Sequence, residues 1–373
     1  MGTRIEWSHL SWLRGEHPGF ESMVGRLRLK HAGLVVVMIT VAIAASPLIH
    51  RAESAATSKT EIWFSPNPGT LDMLRMFERP EEWASARQLV SVFNITQQHT
   101  FASGDPILGP NTYDALVRVD AFRTLVRWRK KLSIGVGSVK EFYCTDDASG
   151  MNASIANTLA AVAAVTNAGG AVSYLSMDEP WVSGRARRCG GPALEPTADR
   201  VALYMSSVSR AFPNIAIGLI EAYPFSSADA IDSMLALMQA RGVRPAFLHM
   251  DVDWHSLTPD QFVRDMRRLQ TTCQSRGIPF GIIITGYNGD ADPLYAIDAA
   301  GISHLIAQTF VRWADMPEHL MFDSWVESST GLRITPSNLP ESRPFTHTRL
   351  MLDTFRYLRG VDGSAPLGVA VPR

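Results

Sequence analysis

The sequence lacks several features that would point to phosphate, nucleic-acid or serine-nucleophile chemistry. Its 373 residues carry a formal net charge of −1, and no basic stripe is interleaved with aromatic side chains. This argues against nucleic-acid binding and against attraction to an acidic membrane surface. The loop after the first apolar strand reads FSPNPGT, which is not a glycine-rich phosphate loop. A G-x-S-x-G elbow is missing, and no lysine ends an apolar strand as a Schiff base would require.

Cysteine is scarce, with three residues in the whole chain. Cys273 lies within a helical pattern, so we expect a buried thiol. Cys144 and Cys189 both lie in loops that follow predicted strands. If those two loops are neighbours, a Cys144–Cys189 disulfide is the natural pairing.

The one long apolar run lies near the amino terminus. Residues 32–49 contain no charge, and Arg26, Arg28 and Lys30 precede them. A basic segment, an apolar segment and small residues after it are typical of a secretory signal peptide. The run is also just long enough to span a bilayer, so an uncleaved anchor is the alternative. A chain that starts at Met23 would carry the more typical signal peptide, so we predict Met23 as the true start.

This organisation predicts two parts of the chain. Residues 1–56 form an amino-terminal extension with the signal peptide or anchor, and residues 60–373 form the folded domain. Both the signal peptide and the uncleaved anchor predict an extracytoplasmic protein. It would be periplasmic or secreted in the first case and held at the inner membrane in the second. We expect membrane contact only through an uncleaved anchor. The sequence does not indicate an oligomeric state.

One pattern repeats from residue 60 onward: a short apolar strand, a polar loop and an amphipathic helix. It occurs eight times, with the eighth strand read at 303–313. The helices carry apolar residues at helical spacing, for example Val201, Tyr204, Met205 and Val208. The strands are continuously apolar, as in a parallel sheet covered by helices. The pattern predicts an α/β fold, a single-domain (β/α)8 TIM barrel, and a doubly wound open sheet is the alternative.

Acids, amides and aromatic residues stand where the predicted strands end, which is where a barrel of this kind places its active site. Carboxylates and amides bind hydroxyl groups, and aromatic faces stack on sugar rings, so this set suits a carbohydrate. Glycoside cleavage typically uses two carboxyl groups. The candidate catalytic residues are Glu179, Glu221, Asp178, Asp253 and Asp251. The candidate substrate-binding residues are Asn67, Gln97, His99, Glu141, Trp181, Tyr223, His249, Trp254, Tyr287, Asn288, Gln308 and Trp313.

The end of the fourth strand resembles a known family. In clan A glycoside hydrolases, which are (β/α)8 barrels, this strand ends in Asn-Glu-Pro, and the chain here reads Asp178-Glu179-Pro180. The resemblance implies that Glu179 is the acid/base and Asp178 its sugar-binding neighbour. The family's nucleophilic Glu at the end of strand seven has no counterpart in IIITGYNGD. The second carboxylate must come from elsewhere, and Glu221 is preferred over Asp253 or Asp251 because it directly follows an apolar strand.

Each candidate also has a structural explanation. Asp178 or Glu179 could cap a helix or pair with nearby arginines, and Glu221 could serve a purely structural role. The alternating stretch HMDVDW places His249, Asp251 and Asp253 on one strand face, where they could form a buried network. Tyr287 and Asn288 could belong to a turn, and Trp313 could be packing.

Two other functions compete with hydrolysis. A divalent-metal-dependent sugar isomerase or epimerase would gather Glu221, His249, Asp251 and Asp253 around its ion. A barrel without catalysis could bind a polysaccharide. The leading hypothesis is a glycoside hydrolase that needs no cofactor and acts on a polysaccharide or oligosaccharide.

Overall fold

The computed structural model describes residues 60–101, 108–141, 148–184, 193–286, 292–324 and 337–360. No helix in these ranges is both long and apolar enough to cross a membrane. The apolar run 32–49 and the boundary near residue 56 lie outside the described ranges. The signal peptide or anchor therefore remains a prediction. The described residues belong to one unit that spans 59–373.

Eight parallel strands close into a barrel in chain order. The first strand pairs with the second and also with the eighth, where Glu61 lies opposite His319. This closure confirms the predicted (β/α)8 barrel and excludes the open sheet. The strands are β1 Glu61–Phe64, β2 Val90–Thr96, β3 Lys131–Val136, β4 Val172–Asp178, β5 Ala216–Tyr223, β6 Leu248–Val252, β7 Phe280–Ile284 and β8 His319–Phe322.

Helices connect the strands and cover the barrel. They are α1 Arg75–Glu78, α2 Ala84–Leu89, α3 Tyr113–Arg118, α4 Ala121–Arg127, α5 Ser138–Glu141, α6 Ala148–Asn167, α7 Pro180–Gly184, α8 Leu194–Ala211, α9 Ala228–Ala240, α10 Pro259–Ser275, α11 Asp292–Thr309 and α12 His347–Leu358. The apolar face predicted for α8 is confirmed, because Val201, Tyr204, Met205 and Val208 are all buried.

Local sequence explains where α10 begins. The Thr258 hydroxyl accepts a hydrogen bond from the Gln261 N–H at 3.2 Å, and the Gln261 side chain accepts one from the Thr258 N–H at 2.9 Å. Pro259 occupies the first turn, where its missing N–H costs nothing. Cys273 lies on the buried face of this helix as a free thiol, as expected, and burial raises its pKa to about 12.

Alternation along the strands divides the apolar residues into two cores. One face of each strand packs under the helices, for example Leu219 of β5 and Ile282 of β7. The other face fills the barrel with a separate cluster that contains Trp63, Phe247 and Met321. Because side chains alternate along a strand, this interior cluster identifies which residues near the carboxyl ends of the strands face the barrel axis.

The eighth strand does not lie where the sequence predicted it. Residues 303–309 continue helix α11, and the strand is the later segment His319–Phe322. Tyr295, Ala299, Ile302 and Ile306 are buried at intervals of three and four residues, which is the period of a helix. A short apolar run was read as a strand although the helical period ran through it. The third strand is also shorter than predicted, since α5 begins at Ser138.

Candidate active site at the carboxyl ends of the strands

Several polar side chains face the barrel axis at the carboxyl ends of the strands. Each one lies an even number of residues beyond a side chain that packs in the barrel interior, two residues for Ser65, Asn94, Asp251 and Asp323 and four for Asp178. Trp63, Val92 and Met321 belong to the interior cluster, and Tyr174 and His249 contact its rings. The side chains placed at the mouth in this way are Ser65, Asn94, Asp178, Asp251 and Asp323. Carboxylates therefore dominate this set, together with one amide and one hydroxyl.

Asp178 and Asp323 stand on opposite sides of this mouth, because β4 and β8 are four strands apart in a ring of eight. Removal from water, together with the Asp178 carboxylate, raises the pKa of Asp323 to about 6. The Ser65 hydroxyl and the Ser324 N–H lower the pKa of Asp323 in part, because they favour its ionised form. The two carboxyl groups are thus electrostatically coupled across the barrel.

Glu179 follows β4 directly and adopts a left-handed backbone conformation, with φ at 45°. Its N–H donates to the Ile220 carbonyl at 2.9 Å, and its own carbonyl accepts from the Ser183 N–H at 3.1 Å. These two bonds hold the residue between β5 and the first turn of α7. A non-glycine residue in this conformation is strained, and such strain is concentrated at functional positions.

Glu221 does not point into the mouth, in contrast to the prediction. It lies one position before Ala222 and between the outward residues Leu219 and Tyr223, so it faces the helices. Its carboxylate accepts a hydrogen bond from the Trp181 N–H at 2.9 Å and is 1% exposed. A residue that directly follows an apolar run can lie on either face of the strand, and the run itself does not show which.

The Glu221 carboxyl group thus caps the amino terminus of α7, where free N–H groups attract a carboxylate. Burial nevertheless raises its pKa well above the usual value, and the hydrogen bonds from Trp181 and Val182 only partly oppose this. The charges of Glu179 and Asp178 raise the pKa further. Trp181 itself is fully buried under this cap, so its ring is core and does not form a sugar platform.

The acids of β6 divide between the mouth and its rim. Asp251 faces the axis and lies beside Ala222 of β5 in the strand register. Asp253 lies past the strand, donates its N–H to the Tyr223 carbonyl at 2.8 Å, and accepts a hydrogen bond from the Ser256 hydroxyl at 2.5 Å. Asp251 is therefore the better placed of the two for a ligand inside the barrel.

Two predicted aromatic platforms of this region face outward instead. The Tyr223 ring is buried under the helices, and its hydroxyl donates to Asp265. Trp254 packs against α11 at Gly301, where a Cβ atom would lie 2.6 Å from the indole ring. Both rings are therefore unavailable for stacking on a sugar in the mouth.

The end of β2 provides buried amide and imidazole groups. Gln97 is 3% exposed, and neither of its side-chain amide atoms has a hydrogen-bond partner within the described ranges. His99 is held by Thr96 through its Nδ1 atom at 3.0 Å, and burial lowers its pKa to about 4. Asn67 builds the loop after β1, where its backbone N–H donates to the Asn338 side chain at 2.8 Å. Gln97 is the strongest candidate of the three for contact with a polar ligand.

His249 lies in the barrel interior, deeper than the mouth. Its Nε2 atom is 2.8 Å from Nδ1 of His319, and both rings contact Trp63 and Phe247. Burial lowers the pKa of His249 well below its usual value, and His319 lowers it further. His249 points inward and Glu221 outward, so the structure does not bring together the four predicted metal ligands. Within the described ranges no three His, Cys, Asp or Glu side chains form a metal site.

The remaining candidates lie elsewhere. Gln308 is exposed on α11 and lies 3.0 Å from His304, so it does not belong to the mouth. Outside the described residues or side chains lie Glu141, Cys144, Cys189, Tyr287, Asn288 and Trp313. The sequence reading missed Asp323, because its strand was assigned to the wrong segment. The sequence feature that could have located this strand is the short apolar run HLMF, which follows a turn and is directly followed by Asp323.

Comparison with solved structures supports the fold. No family model and no curated protein matches the sequence. The chain is similar in structure to a GH10 protein from Paenibacillus barcinonensis, with 9% identity, a TM-score of 0.51 and coverage of 78% of this chain and 94% of that one. A GH10 xylanase from Thermobacillus composti gives 11% identity, a TM-score of 0.51 and coverage of 80% and 97%.

Xylanase 10B from Thermotoga maritima gives 10% identity, a TM-score of 0.51 and coverage of 82% and 98%. At such low identity these likenesses show a shared fold. They confirm the resemblance to (β/α)8 glycosidase barrels at the level of architecture and indicate no particular family.

Proposed function

We propose that this protein is a glycoside hydrolase that cleaves a polysaccharide or oligosaccharide, with Glu179 as the general acid. The observation that carries the proposal is the strained backbone of Glu179 at the end of β4, beside a mouth lined with carboxyl groups. Similar barrels among the solved structures are xylanases, which supports a carbohydrate as the substrate. The extracytoplasmic location remains a separate prediction from the sequence.

The arrangement suits the chemistry of glycosidic bonds. An acid on one side of the mouth gives a proton to the leaving oxygen, while a carboxylate on the other side assists the attacking water. Asp178 and Asp251 lie beside this path, where they can bind hydroxyl groups and stabilise positive charge that develops on the sugar ring. Asn94 and Gln97 offer amide groups to further hydroxyls.

The test compares the full chain with two glutamate variants on a panel of polysaccharides that includes xylan. Release of reducing ends measures hydrolysis. Glu179→Gln preserves the shape of the side chain and removes its acid, so we expect hydrolysis to fall at least about 100-fold. Glu195→Gln, an exposed residue in the first turn of α8, is the matched control and should keep full activity.

Circular dichroism establishes that both variants fold. The proposal is contradicted if the native chain releases no reducing ends from any polysaccharide in the panel. Full activity of Glu179→Gln on a substrate that the native chain cleaves contradicts the role of Glu179 alone.

A further inference from the structure

Asp323 reaches the mouth from the side opposite Glu179. The short strand β8 places Met321 in the barrel interior, so alternation aims Asp323 at the axis two residues later. Its N–H continues the ladder by donating to the Ile284 carbonyl of β7 at 3.2 Å. The Tyr295 hydroxyl of α11 donates to the Asp323 carbonyl and fixes the backbone from the other side.

The side chain of Asp323 is also positioned by its neighbours. The Ser65 hydroxyl and the Ser324 N–H both favour the ionised form of its carboxylate and lower its pKa. Asn94 orients Ser65, because its amide donates to the Ser65 oxygen at 3.2 Å and leaves the hydroxyl proton free to point at Asp323. Asn94 of β2 therefore positions the Ser65 hydroxyl, which in turn acts on the Asp323 carboxylate next to β8. Such support is typical of groups that must meet a reacting atom in a fixed geometry.

Among the residues that the structure describes, the charged neighbour of Asp323 is Asp178, and the other titratable group beside it is the Tyr295 phenol, which bonds its backbone. Burial, strengthened by Asp178, raises the pKa of Asp323 to about 6. A carboxylate of this kind is a stronger base than an ordinary aspartate and is still ionised at neutral pH. General bases work best when their pKa lies near the working pH.

Within the proposed glycoside hydrolase, on which this inference rests, we propose that Asp323 is the catalytic base that works opposite Glu179. Asp323 takes a proton from the attacking water, whose oxygen forms a bond to the anomeric carbon. The glycosidic C–O bond breaks, and the leaving oxygen receives the proton of Glu179. Glu179 ends ionised and Asp323 ends protonated, and exchange with solvent restores both.

This placement also predicts the stereochemical result. Opposite strands of a barrel separate two carboxyl groups more widely than adjacent strands do. A wide separation, roughly 6.5–9.5 Å, leaves room for water and accompanies inversion at the anomeric carbon, whereas retention needs about 5–5.5 Å. We therefore expect the first product to carry the anomer opposite to that of the substrate.

The experiment uses the full chain and a polysaccharide that it hydrolyses. Asp323→Ala should lower kcat at least about 100-fold, and added formate or azide should restore part of the rate, since a small anion can replace a missing base. Asp315→Asn, a half-exposed carboxylate beside Arg312, is the control and should leave kcat unchanged. Proton NMR of fresh product identifies the anomer.

A second variant keeps the carboxylate and tests it through its pKa. Ser65→Ala removes a hydrogen bond that favours the ionised form of Asp323. The acidic limb of kcat/KM against pH, expected near 6 in the native chain, should then move to higher pH. A structural role alone would leave this limb in place.

The outcomes separate this inference from the proposed function. If the native chain hydrolyses the substrate but Asp323→Ala keeps most of its kcat, the role of Asp323 is overturned and hydrolysis stands. The same holds if Ser65→Ala leaves the acidic limb unmoved. If no substrate is hydrolysed by the native chain, the proposed function itself fails.

Discussion

The strain at Glu179 leads to a prediction that links stability to activity. With φ at 45°, its Cβ crowds the backbone, which costs about 1–2 kcal/mol for an L-residue. Glu179→Gly removes this cost and so stabilises the folded state. The extra freedom of glycine in the unfolded chain offsets about 0.4–1 kcal/mol of that gain. The variant also removes a carboxyl group that acts on the buried Glu221 carboxyl. We expect a net gain of about 1 kcal/mol in the free energy of unfolding together with loss of hydrolysis.

Calorimetric unfolding of the full chain measures this gain, and it corresponds to a rise in Tm of about 2 °C for a domain of this size. Arg129→Gly is the matched control, because Arg129 is exposed after α4 with φ at 55° and lies far in sequence from the mouth residues. It should raise Tm by a similar amount and keep activity. Glu179→Gln retains the strained backbone and should show little of this rise. A lower Tm for Glu179→Gly, with the expected rise for Arg129→Gly, would refute the account of Glu179 as a strained residue kept for function.

Two further predictions concern buried groups. Glu221→Ala leaves the N–H groups of Trp181 and Val182 without their acceptor and should lower the free energy of unfolding by about 2–3 kcal/mol in urea titrations. Glu221→Gln retains an acceptor oxygen and should lose less, and equal losses would contradict the capping role. Burial lowers the pKa of His319 to about 4, so its neutral form stabilises the fold above pH 6.5 and this stability is lost as the pH falls toward 4. The loss amounts to about 3 kcal/mol in the free energy of unfolding. His319→Gln should flatten the dependence of this free energy on pH relative to the native chain. An unchanged dependence would exclude the His249–His319 pair as its source.

The fold was largely predictable because it depends on local periodicity. Helix α8 shows its buried stripe in the sequence, and α10 carries its own capping residues. The eighth strand was the exception. The apolar segment at 303–309 has the helical period of α11 but resembles a strand when it is read alone, whereas His319–Phe322 is too short to stand out.

The candidate site was predictable only in part. Asp178 and Glu179 lie at the end of β4, as the strand pattern indicated. Glu221 and Tyr223 lie on the outward face of β5, because a one-residue change of phase along a strand reverses the side that a residue faces. A continuously apolar strand gives no signal of that phase, so only the packing of its neighbours could decide it.

By itself, the sequence determined the number of strand–helix units, the apolar faces of the helices and the carboxyl pair that ends β4, since each depends on residues close together in the chain. The tertiary structure decided which acids share the mouth. Closure of β1 on β8 brings Ser65 to the carboxylate of Asp323 and places that carboxylate across from Asp178. These contacts join residues more than 140 positions apart, so they cannot be predicted from any local sequence pattern.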